Sequence, residues 1–473
     1  MKKLYTFLIV LFAFTFAHAQ NDLKARIEFE EAEKAFTEEN YETALKHLNQ
    51  TEKELGKWTP LVSYLKIESL YALTDMGNFG APTMQPLYEE VTKYMGYLNK
   101  LKSDDVPMDK YKVVYSIEKT LKALKLDERQ SPEYIKAKTA HDAKNYDAAI
   151  PLWEKLAQKG NSWAMRNLGL VYEIQNDHEK AKEWYLKAID KENAVAASDF
   201  AMVYTEENNK RKYFEKSAQL GHPNGIWGLG WYAENIDNNP TKGMEFYQQA
   251  ADLGGGKGLY GIASLFKEGK GVIEDYKKAE DYYKKAAVKS NADALYKIGG
   301  LYHNGGKGIV QNHQTAMEWY LKAVEKGNTN AMSQIGWIYQ NGQGVYPKDY
   351  KKAEEWYQKR IDYGDKYGYI DLGNLYSLPD NNFPQKALEN YEKSAEAGSF
   401  KGKLGAANLY FSGKGGIAKD YAKAAKYYEA YYEKEKKNES YIDNLIEMYN
   451  RGGNGIEKDK EKAKYWKEIR RKK

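Results

Sequence analysis

The sequence predicts an all-α chain, a solenoid of stacked helical hairpins, on three observations. The first is the stretch 294–323. Ala294, Ile298, Gly299 and Tyr302 precede a glycine break at 305–308, and Ala316, Trp319, Tyr320 and Ala323 follow it. Small and apolar residues at helical spacing on both sides of a break describe two amphipathic helices folded back on each other. The second is repetition: the leading alanine of the second helix recurs after 37 residues from Ala279 to Ala316, from Ala316 to Ala353 and from Ala387 to Ala424. A period of this size marks an array in which no hairpin buries its apolar face without its neighbours. The third is punctuation. Gly269, Gly305, Gly342, Gly413 and Gly452 each fall three residues after the aromatic that closes a first helix. Asp275, Asp349, Asp420 and Asp459 each stand four residues before the second-helix alanine. Glycine ends a helix in the left-handed conformation at no steric cost, and aspartate caps the next one.

Taken in order, residues 1–19 read as a secretory leader. Lys2 and Lys3 give a positive start, Leu4 to Ala17 carry no charge, and Ala17-His18-Ala19 supplies small residues at the cleavage positions. The apolar run is shorter than the roughly 20 residues a membrane span needs. The expectation is an exported chain, periplasmic or extracellular, with no membrane span once the leader is removed. It contains no cysteine, so disulfides, thiolate metal sites and cysteine nucleophiles are excluded and stability must come from stacked helices.

Residues 20–130 are helical with looser spacing. Phe29, Ala32, Ala35 and Phe36, then Tyr41, Ala44, Leu45 and Leu48, resemble a tetratricopeptide helix pair with its turn at Glu39-Asn40. Longer helices are expected around Leu61–Leu73, Leu87–Leu101 and Tyr111–Leu126, and the region is read as a cap on the array. Ser131-Pro132 marks the boundary, as N-cap and first helical residue. About ten helix pairs fill 131–473, beginning with Tyr134–His141 and Tyr146–Leu156.

The motif Ala-x-x-x-(Leu/Ile)-Gly-x-x-Tyr, a Gly-x-Gly loop, an Asp and Ala-x-x-(Trp/Tyr)-Tyr-x-x-Ala resembles the Sel1-like repeat family, a relative of the tetratricopeptide repeats. The clearest matches are Phe266–Ala286, Ala294–Ala323, Ala331–Tyr357 and Ala406–Tyr428. The resemblance implies a right-handed superhelix of antiparallel helix pairs, and adaptor proteins that hold partners in complexes. The units near Tyr204 and Tyr376 lack the glycine loop and read as plain tetratricopeptide repeats. The unit around Gly225–Tyr232 replaces the small-residue pattern with Trp227, Gly228, Gly230 and Trp231, and Gly254-Gly255-Gly256 breaks the next connection.

The formal charge is +5, with lysine and glutamate intermixed along helix faces, and the one basic run, 470–473, ends the chain. That pattern is solvated surface rather than a nucleic-acid footprint. Most of the 42 tyrosines are accounted for by the repeat as packing residues with the hydroxyl at an edge. The sequence carries no His-Glu-x-x-His, no Gly-x-Ser-x-Gly and no phosphate-loop ending after the glycines at 254–258, which read as a loop. His303 and His313 straddle one hairpin loop and can approach each other. No catalytic residue, cofactor or metal is expected. Some Sel1-like proteins resemble penicillin-binding enzymes, but those carry a cysteine pair in each repeat, which this chain lacks.

A partner surface is the expectation instead. First helices line the concave face of such a superhelix, and residues two positions from the buried Leu/Ile point off the core. On that rule Arg166, Trp227, Trp231, Tyr296 and Trp337 face the groove, with Glu173, His303 and Gln340 one turn further along. The function expected is a non-enzymatic scaffold that binds a protein or peptide in this groove. The alternatives are a peptidoglycan or other cell-wall glycan binder, since exposed aromatics also stack on sugars, and a β-lactamase-like hydrolase using dispersed residues.

Overall fold

The computed structural model describes residues 20–471 apart from 79, 204–206, 290 and 436–439. The proposed leader and Tyr204 therefore lie outside the described residues. Among the described residues there are 25 α-helices and no strand. Five come before Ser131: α1 (Gln20–Thr37), α2 (Tyr41–Leu55), α3 (Pro60–Leu73), α4 (Met84–Leu98) and α5 (Met108–Ala123). Ten hairpins follow. The first five are α6 (Pro132–Asp142) with α7 (Tyr146–Gln158), α8 (Ser162–Ile174) with α9 (His178–Asp190), α10 (Ala194–Val203) with α11 (Glu207–Gln219), α12 (Pro223–Asn235) with α13 (Pro240–Asp252), and α14 (Gly256–Glu268) with α15 (Tyr276–Val288). The second five are α16 (Ala292–Asn304) with α17 (His313–Glu325), α18 (Thr329–Asn341) with α19 (Tyr350–Asp362), α20 (Gly368–Tyr376) with α21 (Pro384–Glu396), α22 (Phe400–Ser412) with α23 (Tyr421–Glu435), and α24 (Ser440–Arg451) with α25 (Lys460–Arg471).

The punctuation works as the sequence implies. Asp275, Asp349, Asp420 and Asp459 each accept a hydrogen bond from the backbone N–H three residues on. The five loop glycines have φ between +65° and +68°. Ser131 caps α6, with Pro132 in its first turn.

The repeat glycine has a packing reason beyond smallness. A Cβ on Gly336 would stand 2.4 Å from the Tyr357 ring, on Gly299 2.5 Å from Tyr320, and on Gly373 2.5 Å from Tyr391. Each glycine is thus the floor on which the tyrosine of its own hairpin's second helix lies, and that ring is buried. The hydroxyl reaches back to the first helix: Tyr185 donates to Glu173, Tyr247 to Glu234, Tyr357 to Gln340 and Tyr428 to Asn408. A buried ring with a satisfied hydroxyl ties the two helices together at both ends.

The chain forms two compact units, 1–294 and 295–473, with the division inside α16. In the first unit the core runs without a break from Ile67 through Trp153 and Trp163 to Phe200. The boundary read at residue 130 is accordingly crossed by packing. Glu128 accepts from the backbone N–H groups of Ser162 and Trp163, and Trp163 Nε1 donates to the Leu124 carbonyl. The core of the second unit runs from Ala353 to Trp466.

The N-terminal region does more than cap the first hairpin. Residues 74–78, which follow α3, reach the stretch from α12 to Lys289, and we call them the strap. Met76 N–H donates to the Gly254 carbonyl at 3.2 Å, and Gly256 N–H donates to Asp75 at 2.9 Å. Asn224 donates to the Gly77 carbonyl at 3.0 Å. Lys289 Nζ donates to the carbonyls of Tyr71 and Thr74 at the C-terminal end of α3, where a cation also complements the helix dipole. Met76 and Thr74 are wholly buried.

Candidate functional site

The strap forms one wall of a pocket of about 490 Å³ in the first unit. Its other walls come from α6, α8, α10, α12 and α14, the first helices of five successive hairpins, with Arg129 and the α7 residue Trp153. The repeat geometry explains the assembly: second helices deliver their aromatic rings into the stack, so polar first-helix positions are left to face the strap. Arg166 on α8 pairs with Asp199 on α10, its Nε and one terminal nitrogen both 2.7 Å from Asp199 Oδ2. The Trp163 ring lies beneath two guanidiniums, Arg129 at 4.7 Å and Arg166 at 5.4 Å. Asn167 donates to the hydroxyl of the buried Tyr134. Lys138 is paired with Asp142. Burial pushes the His141 imidazole and the Lys257 ammonium below their ordinary pKa values, in favour of their neutral forms.

Of the residues expected to face a groove, Arg166 lines this pocket. Trp227 and Trp231 line a second, smaller one of about 200 Å³ with Met202, Phe214 and Tyr232. The glycines between the two tryptophans set that placement. A Cβ on Gly228 would meet the Phe214 ring at 2.3 Å, and one on Gly230 the Tyr247 ring at 2.6 Å. The two glycines receive the neighbouring second helices on either flank of α12, and the tryptophans project between them. Trp231 is 38% exposed, and Trp227 is half-buried with Lys257 Nζ 4.8 Å from its ring. Glu173 is half-buried and held by Tyr185 of its own hairpin.

The remaining four lie in the second unit. The His303 ring is 5.0 Å from His313 and 5.3 Å from Trp337 between centroids, so the two loop histidines do meet. Burial, then the neighbouring His313, lowers the His303 pKa. Trp337 is 38% exposed. Tyr296 packs 5.8 Å from Tyr320, and Gln340 accepts the Tyr357 hydroxyl at 3.0 Å. Among the described residues no group of three or more metal-ligating side chains is assembled.

Sequence reasoning missed Asp75, His141, Trp153 and Lys257. It also placed 254–258 in a loop, whereas Gly256 to Gly258 form the first turn of α14. The reason is steric: a Cβ on Gly258 would stand 2.6 Å from the Ala251 nitrogen and the Tyr247 carbonyl, so the close approach of α14 to α13 needs glycine. The signal that was available is the glycine triplet itself, since Gly254 and Gly256 are where the strap docks.

Comparison with known proteins places this architecture. The Sel1 repeat family matches residues 211–222, 224–255, 256–288, 292–328, 329–359, 368–399, 403–433 and 447–466. The chain is a Sel1-repeat protein. A tetratricopeptide repeat family matches 134–196, the first two hairpins and the start of α10. The Sel1 matches include the unit around Tyr376, which sequence reading had set apart as a plain tetratricopeptide repeat. Solved structures similar to this Sel1-repeat protein include a protective antigen of uropathogenic Escherichia coli displaying an SLR fold. It is 21% identical over 89% of this chain and 85% of that one, with a TM-score of 0.40. A Sel1 repeat protein from Oxalobacter formigenes is 26% identical over 52% of this chain and 99% of that one, with a TM-score of 0.40. An immunity protein from Pseudomonas aeruginosa is 24% identical over 39% of this chain and 76% of that one, with a TM-score of 0.33. Sel1 and tetratricopeptide repeats are generally non-catalytic scaffolds for protein–protein interaction. No described helix of this Sel1-repeat protein is long and apolar enough to cross a membrane.

Proposed function

We propose that this protein is an exported, non-enzymatic scaffold that holds a partner protein against tryptophan-bearing faces of its first helices. The observation that carries the reading is the contrast among its tryptophans. Trp153, Trp163 and Trp466 are buried to 5% exposure or less, whereas Trp231 and Trp337 are each 38% exposed. A tryptophan held open on a rigid helix is the residue type that anchors protein interfaces, because it offers a large contact area with little rotamer entropy to lose. The leader-like residues 1–19 support an extracytoplasmic setting.

A photo-crosslinking residue placed at Trp231 or at Trp337 in the native cell tests the reading. A discrete adduct at these positions, absent from a probe at the more open Tyr363, is the expected result. Uniform or absent crosslinking at all three sinks it. Mass analysis of the mature chain tests export: the expected N-terminus is Gln20, and a retained Met1 in a cytoplasmic fraction contradicts it.

A further inference from the structure

The strap-bounded pocket has an unbalanced inventory. Four cations border it, Arg129, Lys138, Arg166 and Lys257, against the carboxylates of Asp75, Asp142 and Asp199. All three carboxylates are engaged. Asp75 Oδ1 accepts from Gly77 N–H and Gly256 N–H at 2.9 Å each, Asp142 is paired with Lys138, and Asp199 holds Arg166. Of the other two cations Arg129 stacks on the Trp163 ring, which leaves Lys257 to be accounted for. Its ammonium touches the Met202 sulfur at 3.8 Å and overlies Trp227, and no carboxylate of the described residues lies within ion-pair distance.

Two buried polar atoms add to the demand. Trp153 is wholly buried, yet its indole N–H has no hydrogen-bond partner, and His141 Nδ1 has none either. Buried polar atoms are nearly always paired, so an unsatisfied donor, an unsatisfied imidazole nitrogen and a surplus ammonium around one pocket are unusual together. A carboxylate meets this set, with one negative charge and two oxygens that accept only. Phosphate fits less well. Of the two bordering arginines, Arg166 has its fork taken by Asp199 and Arg129 lies stacked on Trp163. Tyr134 and Trp163 supply an apolar wall for the body of the ligand, and the volume lies within the roughly 300–1,000 Å³ range of small-ligand sites.

We propose that the strap and the first helices of this unit enclose a binding site for an organic monocarboxylate, with the Lys257 ammonium as its counter-ion. The carboxylate belongs either to a small free acid or to the C-terminus of a peptide. Lys257 adjoins Trp227 and Met202 of the tryptophan-lined pocket, but the carboxylate site does not use Trp231, and failure of crosslinking at Trp231 leaves it standing.

Calorimetric titration of the full chain with 3-phenylpropionate, with the tripeptide Ala-Ala-Phe and with its C-terminal amide tests the proposal. Saturable binding of the acid or the free tripeptide, and none of the amide, is expected. A tripeptide more than tenfold tighter than the acid identifies a chain terminus, and the reverse order identifies a free acid. Lys257→Met keeps the apolar stem over Trp227 and removes the charge. It is expected to weaken binding at least tenfold while leaving the melting temperature unchanged or raised, and Lys257→Gln serves if that variant does not fold. On the wild-type chain the indole N–H signal of Trp153, assigned with Trp153→Phe, is expected to move on titration. The proposal is overturned if no carboxylate probe moves that signal, if the charge-removing variant binds like wild type, or if inorganic phosphate competes more tightly than either acid.

Discussion

Replacing Gly254 with alanine gives a measurement of what holds the strap, because the fold supplies its own control. Gly254 follows α13 with φ +81°, and Gly160 follows α7 with φ +88°. An added methyl pays the same left-handed strain at either position, about 1 kcal/mol. Their surroundings differ: a Cβ on Gly160 meets nothing within 4 Å, while one on Gly254 stands 2.7 Å from Met76 Cγ and 3.2 Å from the Tyr71 hydroxyl. Met76 must then leave a wholly buried seat, worth about 1.5–3 kcal/mol. The bond from its N–H to the Gly254 carbonyl is lost with it, worth about 0.5–1.5 kcal/mol. Gly254→Ala is therefore expected to destabilise strap docking by roughly 2–4 kcal/mol more than Gly160→Ala destabilises its own turn. Global unfolding is the wrong readout for this change, because the strap can undock while the array stays folded. Hydrogen exchange at the Met76 amide reads the local equilibrium, and 2 kcal/mol there corresponds to roughly thirtyfold faster exchange. Equal exchange at Met76 in the two variants refutes the argument that the strap is seated against the glycine triplet.

Neighbouring glycines on α16 are expected to respond with opposite sign. Gly299→Ala drives a methyl into the Tyr320 ring and costs about 1–3 kcal/mol, whereas at Gly300 the nearest outside atom, the Tyr320 hydroxyl oxygen, is 4.0 Å away and alanine adds up to about 1 kcal/mol of helix propensity; paired denaturant titrations decide it. Removing the N-cap side chain with Asp349→Ala is expected to cost about 1 kcal/mol, read as the midpoint shift of the same titration. Acid is expected to destabilise the first unit through His222, which is wholly buried and held by burial at a pKa of about 3. The unfolded chain takes up that proton near 6.5 and the folded chain near 3, so stability falls as pH drops through this window by about 1.4 kcal/mol per unit. His222→Gln flattens that slope in a pH series of denaturant titrations, and an unchanged slope contradicts the assignment.

What was legible in the sequence is what is encoded within one hairpin. The stop glycines, the aspartate caps and the tyrosine stripe act over fewer than about 40 residues, so period and punctuation place the helices on their own. Glu173 and Gln340 show the limit of that reading. A positional rule turns them off the core, but it does not count the reach of a tyrosine, and the hydroxyls of Tyr185 and Tyr357 draw both back into their own hairpins. Packing across residue 130 was beyond a local reading for a related reason, since Ser131 is a true helix start while the core beneath it is continuous. The strap was out of reach altogether. Asp75 and Gly256 are separated by 181 positions, and nothing local to either announces the other.

Departures from the repeat nevertheless carry information once they are mapped. In an ideal array each first helix meets only neighbouring hairpins, so its positions are set by the tyrosine and alanine stripes. The hairpins from α12 to α15 break that pattern in two ways, and each break has a different cause. Asn224, the glycines at 254–256 and Lys289 answer to the strap, an internal partner that the structure displays. Gly228 and Gly230 answer to the rings of Phe214 and Tyr247, which flank Trp227 and Trp231 on α12. They do not account for the choice of tryptophan at the open position Trp231, where alanine or lysine would satisfy the helix at lower cost in exposed apolar surface. With the internal demands of α12 assigned to other residues, that choice is best explained by contact outside the chain, which is why the crosslinking probe belongs at Trp231.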